Sequence, residues 1–317
     1  MVKTFDGDNF DVLFKNVVSA IIRNPEHICK PRGQTVKEII APTLVLRNPR
    51  ARLLANTARK ADYGFGVGEF FWYWEGKQDV ESMLYYNKRM GNFSDNGFTL
   101  NSAYGYRTRV KQFGGKIHPT SLDNFGDGKT QWVAARDELI RDNDSRRAVL
   151  MIGTPLDFVE GENSKDVPCT LHLQFFIRNN RLILHTSMRS NDVFWGLTYD
   201  LFSFTLLQEL MMLELQAQGL PGLQLGEYIH TAGSLHIYDK HFEQAEQAVD
   251  EASSTKFRPA AKMEPISHLE LSRLVSLEQS LRVGKVAQLD EAQFRSGVRW
   301  MAEQLNAHRR KRDAERA

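Results

Sequence analysis

One cysteine in this chain is placed for nucleophilic chemistry. Cys169 follows Pro168 and leads into Thr170-Leu171-His172-Leu173-Gln174-Phe175-Phe176, a run that alternates as a half-buried strand does. A thiol at the head of such a strand can be held rigidly and presented to a cleft. The thiolate is a strong, soft nucleophile, but a free thiol with a pKa of about 8.5 is mostly protonated. Nearby arginines lower that value, and they also bind a phosphate dianion by forked hydrogen bonds. Arg32, Arg146, Arg147 and Arg189 are available for both tasks. Glu69 lies inside an aromatic stretch, Gly68-Glu69-Phe70-Phe71-Trp72-Tyr73-Trp74, where desolvation raises a carboxyl toward neutrality and suits it to proton transfer. Tyr104 has small residues beside it that let a ligand come close.

Each of these residues also has a plainer reading. Cys169 alone could be a small buried hydrophobe. Glu69 could be a paired structural carboxylate, and Arg146-Arg147 ordinary surface charge. His236 could be a hydrogen-bonded structural histidine, Tyr238 a core residue and Cys29 structural. It is their joint order that is specific.

The elements that must position them read as follows. Residues 9–24 carry apolar side chains at helical spacing and stop before Pro25. Residues 31–34 form a turn and 43–46 a strand. Residues 50–61 read as a helix, and 87–130 as loops rich in Gly, Asn, Asp and Ser. A helix is expected over 132–141, and strands over 148–152, 171–177 and 181–187. The most apolar helix runs over 201–218 and is stopped by Gly219-Leu220-Pro221. Strands over 223–229 and 234–237 follow. From about Phe242 the chain turns charged and helix-prone. We therefore expect a catalytic domain over 1–242 and a helical C-terminal extension over 243–317, its basic end Arg309-Arg310-Lys311-Arg312 solvated and frayed.

The 317 residues are 42% hydrophobic and 25% charged, an ordinary globular composition. A net charge of +2 does not make a polyanion-binding surface, and no direct nucleic-acid partner is expected. Two distant cysteines, Cys29 and Cys169, give neither a disulfide framework nor a metal-binding pair, so a reducing cytoplasmic setting fits. No metal-ligand cluster is visible. No stretch approaches the ~20 apolar residues of a membrane span, and the N-terminus lacks a secretory pattern.

Taken in order, the chain resembles the thymidylate synthase superfamily over roughly residues 10–242. The resemblance rests on Arg32-Gly33, Asn48-Pro49-Arg50, Gly68 to Trp74, Tyr104-Gly105-Tyr106-Arg107, Ser145-Arg146-Arg147, Pro168-Cys169 and Gln174-Phe175. It continues through Arg189-Ser190-Asn191-Asp192, Gly196-Leu197-Thr198-Tyr199-Asp200 and Gly233-Ser234-Leu235-His236-Ile237-Tyr238. It implies an α+β fold, a large mixed β-sheet packed with helices, and an obligate homodimer joined sheet on sheet. By this resemblance Cys169 adds to C6 of a pyrimidine, Glu69 is the catalytic carboxylate, and Tyr104 belongs to the proton-removal network. Arg32, Arg189 and Ser190 hold the phosphate, and Arg146 and Arg147 reach across the twofold axis to the other subunit's phosphate. Asp192 meets the folate, and His236 with Tyr238 the sugar 3′-hydroxyl.

Three departures bear on which member it is. The synthases have Asn where this chain has Asp200, and a carboxyl suits the amino group and N3 of cytosine. Asp200 is therefore read as a base-contacting catalytic residue. Thr170 stands where synthases have His. The stretch between Glu69 and Tyr104 carries Tyr85-Tyr86-Asn87-Lys88-Arg89 in place of the synthases' tryptophans, and their short closing C-terminus is replaced by the extension. Both losses favour water as the final nucleophile. The expectation is one-carbon transfer from 5,10-methylenetetrahydrofolate to C5 of a cytidine monophosphate, deoxy favoured, giving the 5-hydroxymethyl nucleotide. The rival readings are folate-dependent C5-methylation of deoxycytidylate or deoxyuridylate, and a non-catalytic nucleotide-binding dimer.

Overall fold

The computed structural model describes residues 3–109, 111–113, 116–118, 130–159 and 163–315. The strands are β1 (Thr4–Gly7), β2 (His27–Cys29), β3 (Val36–Ile40), β4 (Thr43–Leu46), β5 (Lys111–Phe113), β6 (Lys116–His118), β7 (Val149–Met151), β8 (Thr170–Arg178), β9 (Arg181–Asp192) and β10 (Gln224–Tyr238). The α-helices are α1 (Phe10–Arg23), α2 (Tyr63–Trp74), α3 (Val80–Tyr86), α4 (Tyr104–Thr108), α5 (Gln131–Arg141), α6 (Pro155–Val159), α7 (Thr198–Ala217), α8 (Phe242–Ser253), α9 (His268–Arg282) and α10 (Ser296–Ala314). Among the described residues no helix is long and apolar enough to cross a membrane.

The chain divides into two compact units that interleave in sequence. The first comprises Met1–Ala61, Ala135–Leu150 and Cys169–Met263, the second Asp62–Ala134, Met151–Pro168 and Glu264–Ala317.

The first unit is built on a mixed, eight-stranded sheet in the order β1-β4-β10-β9-β8-β7, with β3 pairing the far half of β10 and β2 pairing β3. Asn179 and Asn180, both at positive φ, close the β8–β9 hairpin opposite the pair Arg178–Arg181. Asparagine tolerates the left-handed conformation that a two-residue hairpin turn demands. The pairing of β9 with β10 is parallel. Alternation on β9 buries Leu182, Leu184, Thr186 and Met188 on one face and leaves Ile183, His185 and Ser187 half-buried on the other. Helix α7 is buried nearly all round, as a central helix must be. The amide of Gln208 reaches the carbonyls of Leu182 and Gly226, where β10 shifts register against β9. Gly219, at φ +121°, ends the helix chain. Helix α1 starts at the Asn9 cap and buries Phe10, Leu13, Phe14, Val17, Val18 and Ile21.

Two expectations are corrected here. Residues 50–61 form no helix. Carboxylates and an amide hold this segment in a non-helical path with a turn over 57–60: Asp11 accepts from Ala55, Glu251 accepts from Thr57 and Ala58, and Asn56 donates to the Ala248 carbonyl. These tertiary hydrogen bonds outweigh a helix propensity worth only tenths of a kcal/mol per residue. The strands expected over 223–229 and 234–237 are one strand, β10, because Gly233 lets the backbone continue past the Arg189 carbonyl. A Cβ at Gly233 would lie 2.7 Å from that oxygen.

The second unit is mainly helical. Tyr63 of α2 meets Trp300 of α10 edge-on at 5.4 Å. Gly64 packs where a Cβ would strike His308. The Tyr86 hydroxyl donates to Glu278 of α9 at 2.6 Å, and Arg282 meets the same carboxylate. The basic end is not frayed: α10 continues through it to Ala314. Lys311 pairs with Asp62, Arg309 with Asp313, and the Arg312 guanidinium lies over the Tyr85 ring. Sequence alone showed the charges but not the carboxylates and ring that receive them.

Candidate active site

Cys169 is half-buried at the head of β8. Its carbonyl accepts the backbone N–H of Arg189 at 2.8 Å, so the nucleophile candidate is tied directly to the Arg189-Ser190-Asn191-Asp192 strip of β9. The β8–β9 ladder shifts register between Thr170 and His172, and such irregularities re-aim the side chains beside them. The parallel β9–β10 register then sets Ser190 against Ser234, Asn191 against Leu235 and Asp192 against His236. Residues more than forty positions apart in sequence therefore stand side by side at one end of the sheet.

His236 is buried, with its ring edge-on to Tyr238 at 5.0 Å. Burial lowers the pKa of its imidazole, while the Asp192 carboxylate pulls the other way. Ser234 donates its hydroxyl to Glu38 of β3. Arg32 sits in the exposed turn Pro31–Gly33, three residues before Thr35, whose carbonyl accepts the Asp239 N–H. Arg32 itself has φ 53°, a left-handed conformation that is costly for a side-chain-bearing residue and recurs at ligand clamps. Arg189 is also exposed. Arg146 and Arg147 are placed elsewhere: they precede β7, two strands from β9. Arg147 meets Glu138 at 3.0 Å with its side chain 72% exposed, and the Arg146 carbonyl accepts from Gln174.

Asp200 lies in the first turn of α7, only 8% exposed. Asn191 donates its amide N–H to Asp200 Oδ2 at 2.7 Å. Among the described residues no cation pairs with this carboxyl. Burial pushes its pKa up to about 7, against the opposing pull of the Asn191 hydrogen bond. Tyr228 on β10 faces the same region; burial raises its phenol, and the Asp200 charge raises it further. Its hydroxyl lies 2.9 Å from Nδ1 of His230, and burial drops that imidazole to about 3. Asp200 therefore sits among neutral polar groups. Thr170, beside the thiol, is fully buried with its hydroxyl unpartnered among the described residues.

Glu69 and Tyr104 belong to the second unit. Glu69 is half-buried on α2, one turn before Tyr73. The Tyr104 ring rests on Tyr73 at 5.4 Å. Gly105 allows this approach, since a Cβ there would collide with the Tyr73 carbonyl. One face of α2 thus carries Glu69 and seats Tyr104. Tyr85 and Tyr86 lie on α3, with Tyr86 buried against Gly68 and His308.

A sequence profile of thymidylate synthase matches residues 13–275. The chain belongs to the thymidylate synthase family. It is 34% identical over 237 residues to a deoxyuridylate hydroxymethyltransferase of Bacillus phage SP01, covering 74% of this chain and 58% of that protein. It is 30% identical over 209 residues to a deoxyuridylate hydroxymethyltransferase of Delftia phage PhiW-14, covering 62% of this chain and 52% of that one. The chain thus spans little more than half the length of these relatives.

Within this thymidylate synthase family chain, sequence reasoning passed over Asn191, Gly196 and the Tyr228–His230 pair. Asn191 was legible as a member of the β9 strip, but its contact with Asp200 depends on the turn between them. At Gly196 a Cβ would lie 2.6 Å from the Asn191 amide nitrogen and 3.1 Å from Asp200 Oδ2. Tyr228 and His230 occur at core positions of a strand where apolar residues would serve, and that was the available signal.

Proposed function

We propose that this chain transfers a one-carbon unit from 5,10-methylenetetrahydrofolate to C5 of cytidylate, deoxy favoured, and that water completes the product as the 5-hydroxymethyl nucleotide. The observation that carries this reading is the buried carboxyl of Asp200, unpaired with any cation among the described residues, near the end of the sheet where backbone pairing sets the strands of Cys169, Arg189, Ser190 and His236 side by side.

Arg32, Arg189 and Ser190 hold the phosphate, and His236 with Tyr238 the 3′-hydroxyl. The thiolate of Cys169 adds to C6. Asp200 accepts from the 4-amino group and shares a proton with N3, which draws electrons from the ring and makes C6 a better electrophile. The C5=C6 electron pair becomes available at C5, where the new carbon–carbon bond forms. Tyr104, acting through water, takes the C5 proton as the bond between the transferred carbon and the folate nitrogen breaks, leaving an exocyclic methylene on the nucleotide. Glu69 orients the water that adds to the exocyclic carbon, and Cys169 departs as the ring double bond is restored. Nucleotide, one carbon at the formaldehyde level and water thus balance as hydroxymethyl nucleotide plus tetrahydrofolate, with no oxidation.

The folate, when bound, supplies that carbon. Its flat aminopyrimidine ring suits the half-buried carboxylate of Asp192 and the indole of Trp195 three residues on, which is 37% exposed. Carboxylates accept from ring amino groups, and indoles stack on flat heterocycles. The half-buried sheet face bearing His172, Phe176, Ile183 and His185 suits the sheet-on-sheet homodimer of the family, with Arg146 and Arg147 donated to the partner's phosphate. Sedimentation should give twice the chain mass.

A second reading, deoxyuridylate as substrate, is favoured by the names of the two phage relatives. A neutral carboxyl can also donate to uracil O4 and accept from N3–H. Incubation with CMP, dCMP, UMP and dUMP plus methylenetetrahydrofolate, with products weighed by mass spectrometry, separates the readings. We expect hydroxymethyl-dCMP and tetrahydrofolate. Dihydrofolate with a methylated product would overturn hydroxymethylation, and a uridylate product alone would overturn the base assignment. Cys169→Ala should lower turnover by roughly four orders of magnitude or more, as loss of a covalent nucleophile does, while nucleotide binding measured by calorimetry persists.

A further inference from the structure

A neutral carboxyl can offer a pyrimidine two opposite patterns. With the proton on the oxygen facing N3, it donates to N3 and accepts from an exocyclic amine, which is the complement of cytosine. With the proton on the other oxygen, it donates to an exocyclic carbonyl and accepts from N3–H, the complement of uracil. A symmetric acid reads both bases, so selectivity requires something that breaks the symmetry of its two oxygens.

We propose that Asn191 breaks that symmetry and is a specificity-determining positioning residue. Its amide N–H occupies Asp200 Oδ2 at 2.7 Å. A proton placed on Oδ2 would compete with that N–H, so the acid proton resides on Oδ1 and the donor and acceptor ends of Asp200 are fixed. Three observations support a dedicated role. Asn191 is only 3% exposed, and its own carbonyl oxygen has no hydrogen-bond partner among the described residues. Among the described residues the hydrogen bond given for its side chain is the one to Asp200. Gly196, in the turn between β9 and α7, clears the space in which the amide nitrogen sits. Among the described residues, Tyr228 on β10 feels the Asp200 charge and keeps its proton, and His230, with Nδ1 2.9 Å from the Tyr228 hydroxyl, is neutral. None of them is hydrogen-bonded to either oxygen of Asp200, so the choice of oxygen falls to Asn191.

This inference rests on the reading of Asp200 as the base-contacting group, but not on which base wins. The test measures kcat/KM for dCMP and dUMP in the full-length wild type, Asn191→Leu, Asn191→Ser and Gly196→Ala. Asn191→Leu removes the donor at similar volume and should bring the ratio of the two values at least tenfold closer to unity, whichever base the wild type prefers. Asn191→Ser keeps a hydroxyl donor and should recover part of the selectivity. Gly196→Ala displaces the amide and should behave like Asn191→Leu. If Asn191→Leu loses activity equally on both nucleotides with the ratio unmoved, Asn191 is merely structural and the proposal fails. A second readout needs no turnover: the ¹³C-carboxyl titration of Asp200 should move upward in Asn191→Leu, because the lost N–H favoured the ionised form. An unmoved titration overturns the dyad even if the enzyme turns over neither nucleotide, an outcome that would sink only the proposed function.

Discussion

Helix α7 carries two carboxylates cut off from solvent, and their surroundings are opposite. Glu209 is fully buried and forms ion pairs with two guanidiniums, Arg50 at 2.9 Å and the fully buried Arg52. Asp200 is nearly as buried, yet it receives a single neutral amide. Burial lowers the Arg52 pKa while Glu209 holds it up, so each member of that pair needs the other. Among the described residues Asp200 has no such counter-charge, and burial raises its pKa to about 7. A matched buried charge stabilises one arrangement of the chain. An unmatched one waits for a proton or a ligand, and that is the condition of a group that does chemistry.

The sharpest way to break this contrast is at Asp200 itself. Asp200→Asn fixes one donor and one acceptor without a titrating proton, so preference should move from cytidylate toward deoxyuridylate. Sites built to hydrogen-bond a substrate group reject an analogue lacking it by roughly 10⁴–10⁵-fold, and a change approaching that order in the ratio of kcat/KM values is expected. An unchanged ratio would show that Asp200 does not read the base.

The converse substitution is Glu209→Gln. It strands the Arg52 guanidinium, two of whose nitrogens already lack partners among the described residues. Breaking a buried pair from one side costs about 3–5 kcal/mol. Urea unfolding should show that loss, while the dCMP-to-dUMP ratio stays at its wild-type value. A selective shift in the ratio would erase the distinction between the two carboxylates.

Much of this was legible before the structure. The β8–β9 alternation and the apolar α7 followed from local pattern, because period and turn residues are local properties, whereas the grouping of Cys169, the Arg189 strip, Asp200 and His236 came from resemblance to the thymidylate synthase family. What stayed hidden depends on partners far away in sequence. Residues 50–61 read as a helix because nothing in them announces Asp11, Glu251 or Ala248. The basic end read as frayed because Asp62 and Tyr85 lie more than two hundred residues earlier. Asn191 was visible as a letter in the strip, but its role lies in a hydrogen bond that exists only once the turn through Gly196 brings α7 back over β9.

The same contrast predicts a pH dependence of stability. The folded Asp200 acid titrates near 7, whereas an unfolded aspartate titrates at about 3.9. Between those values the native state binds more protons, so stability falls as pH rises through that window. About three pH units at 1.36 kcal/mol each put the full cost at about 4 kcal/mol at most. Asp200→Asn escapes it. The variant should be more stable than wild type at pH 8, and the gap should close toward pH 4. Differential scanning calorimetry across that range checks the sign, and a gap constant with pH would mean that Asp200 is already ionised in the native state.

Glu278 in the second unit offers the mildest test. It is a third buried carboxylate, and it lies on the structural side of the contrast: Arg282 supplies the cation at 2.9 Å, and the Tyr86 hydroxyl adds one hydrogen bond at 2.6 Å. Tyr86→Phe removes the hydroxyl but leaves the cation in place. A hydrogen bond to a charged group contributes roughly 1.5–3 kcal/mol, and Arg282 should hold the loss to the lower part of that range. The phenyl ring still fills the space against Gly68 and His308, so no cavity opens. Urea unfolding of Tyr86→Phe should therefore show a smaller loss than Glu209→Gln, with base selectivity untouched. A loss as large as that of Glu209→Gln would mean that the hydroxyl, and not the guanidinium, is what keeps this carboxylate buried.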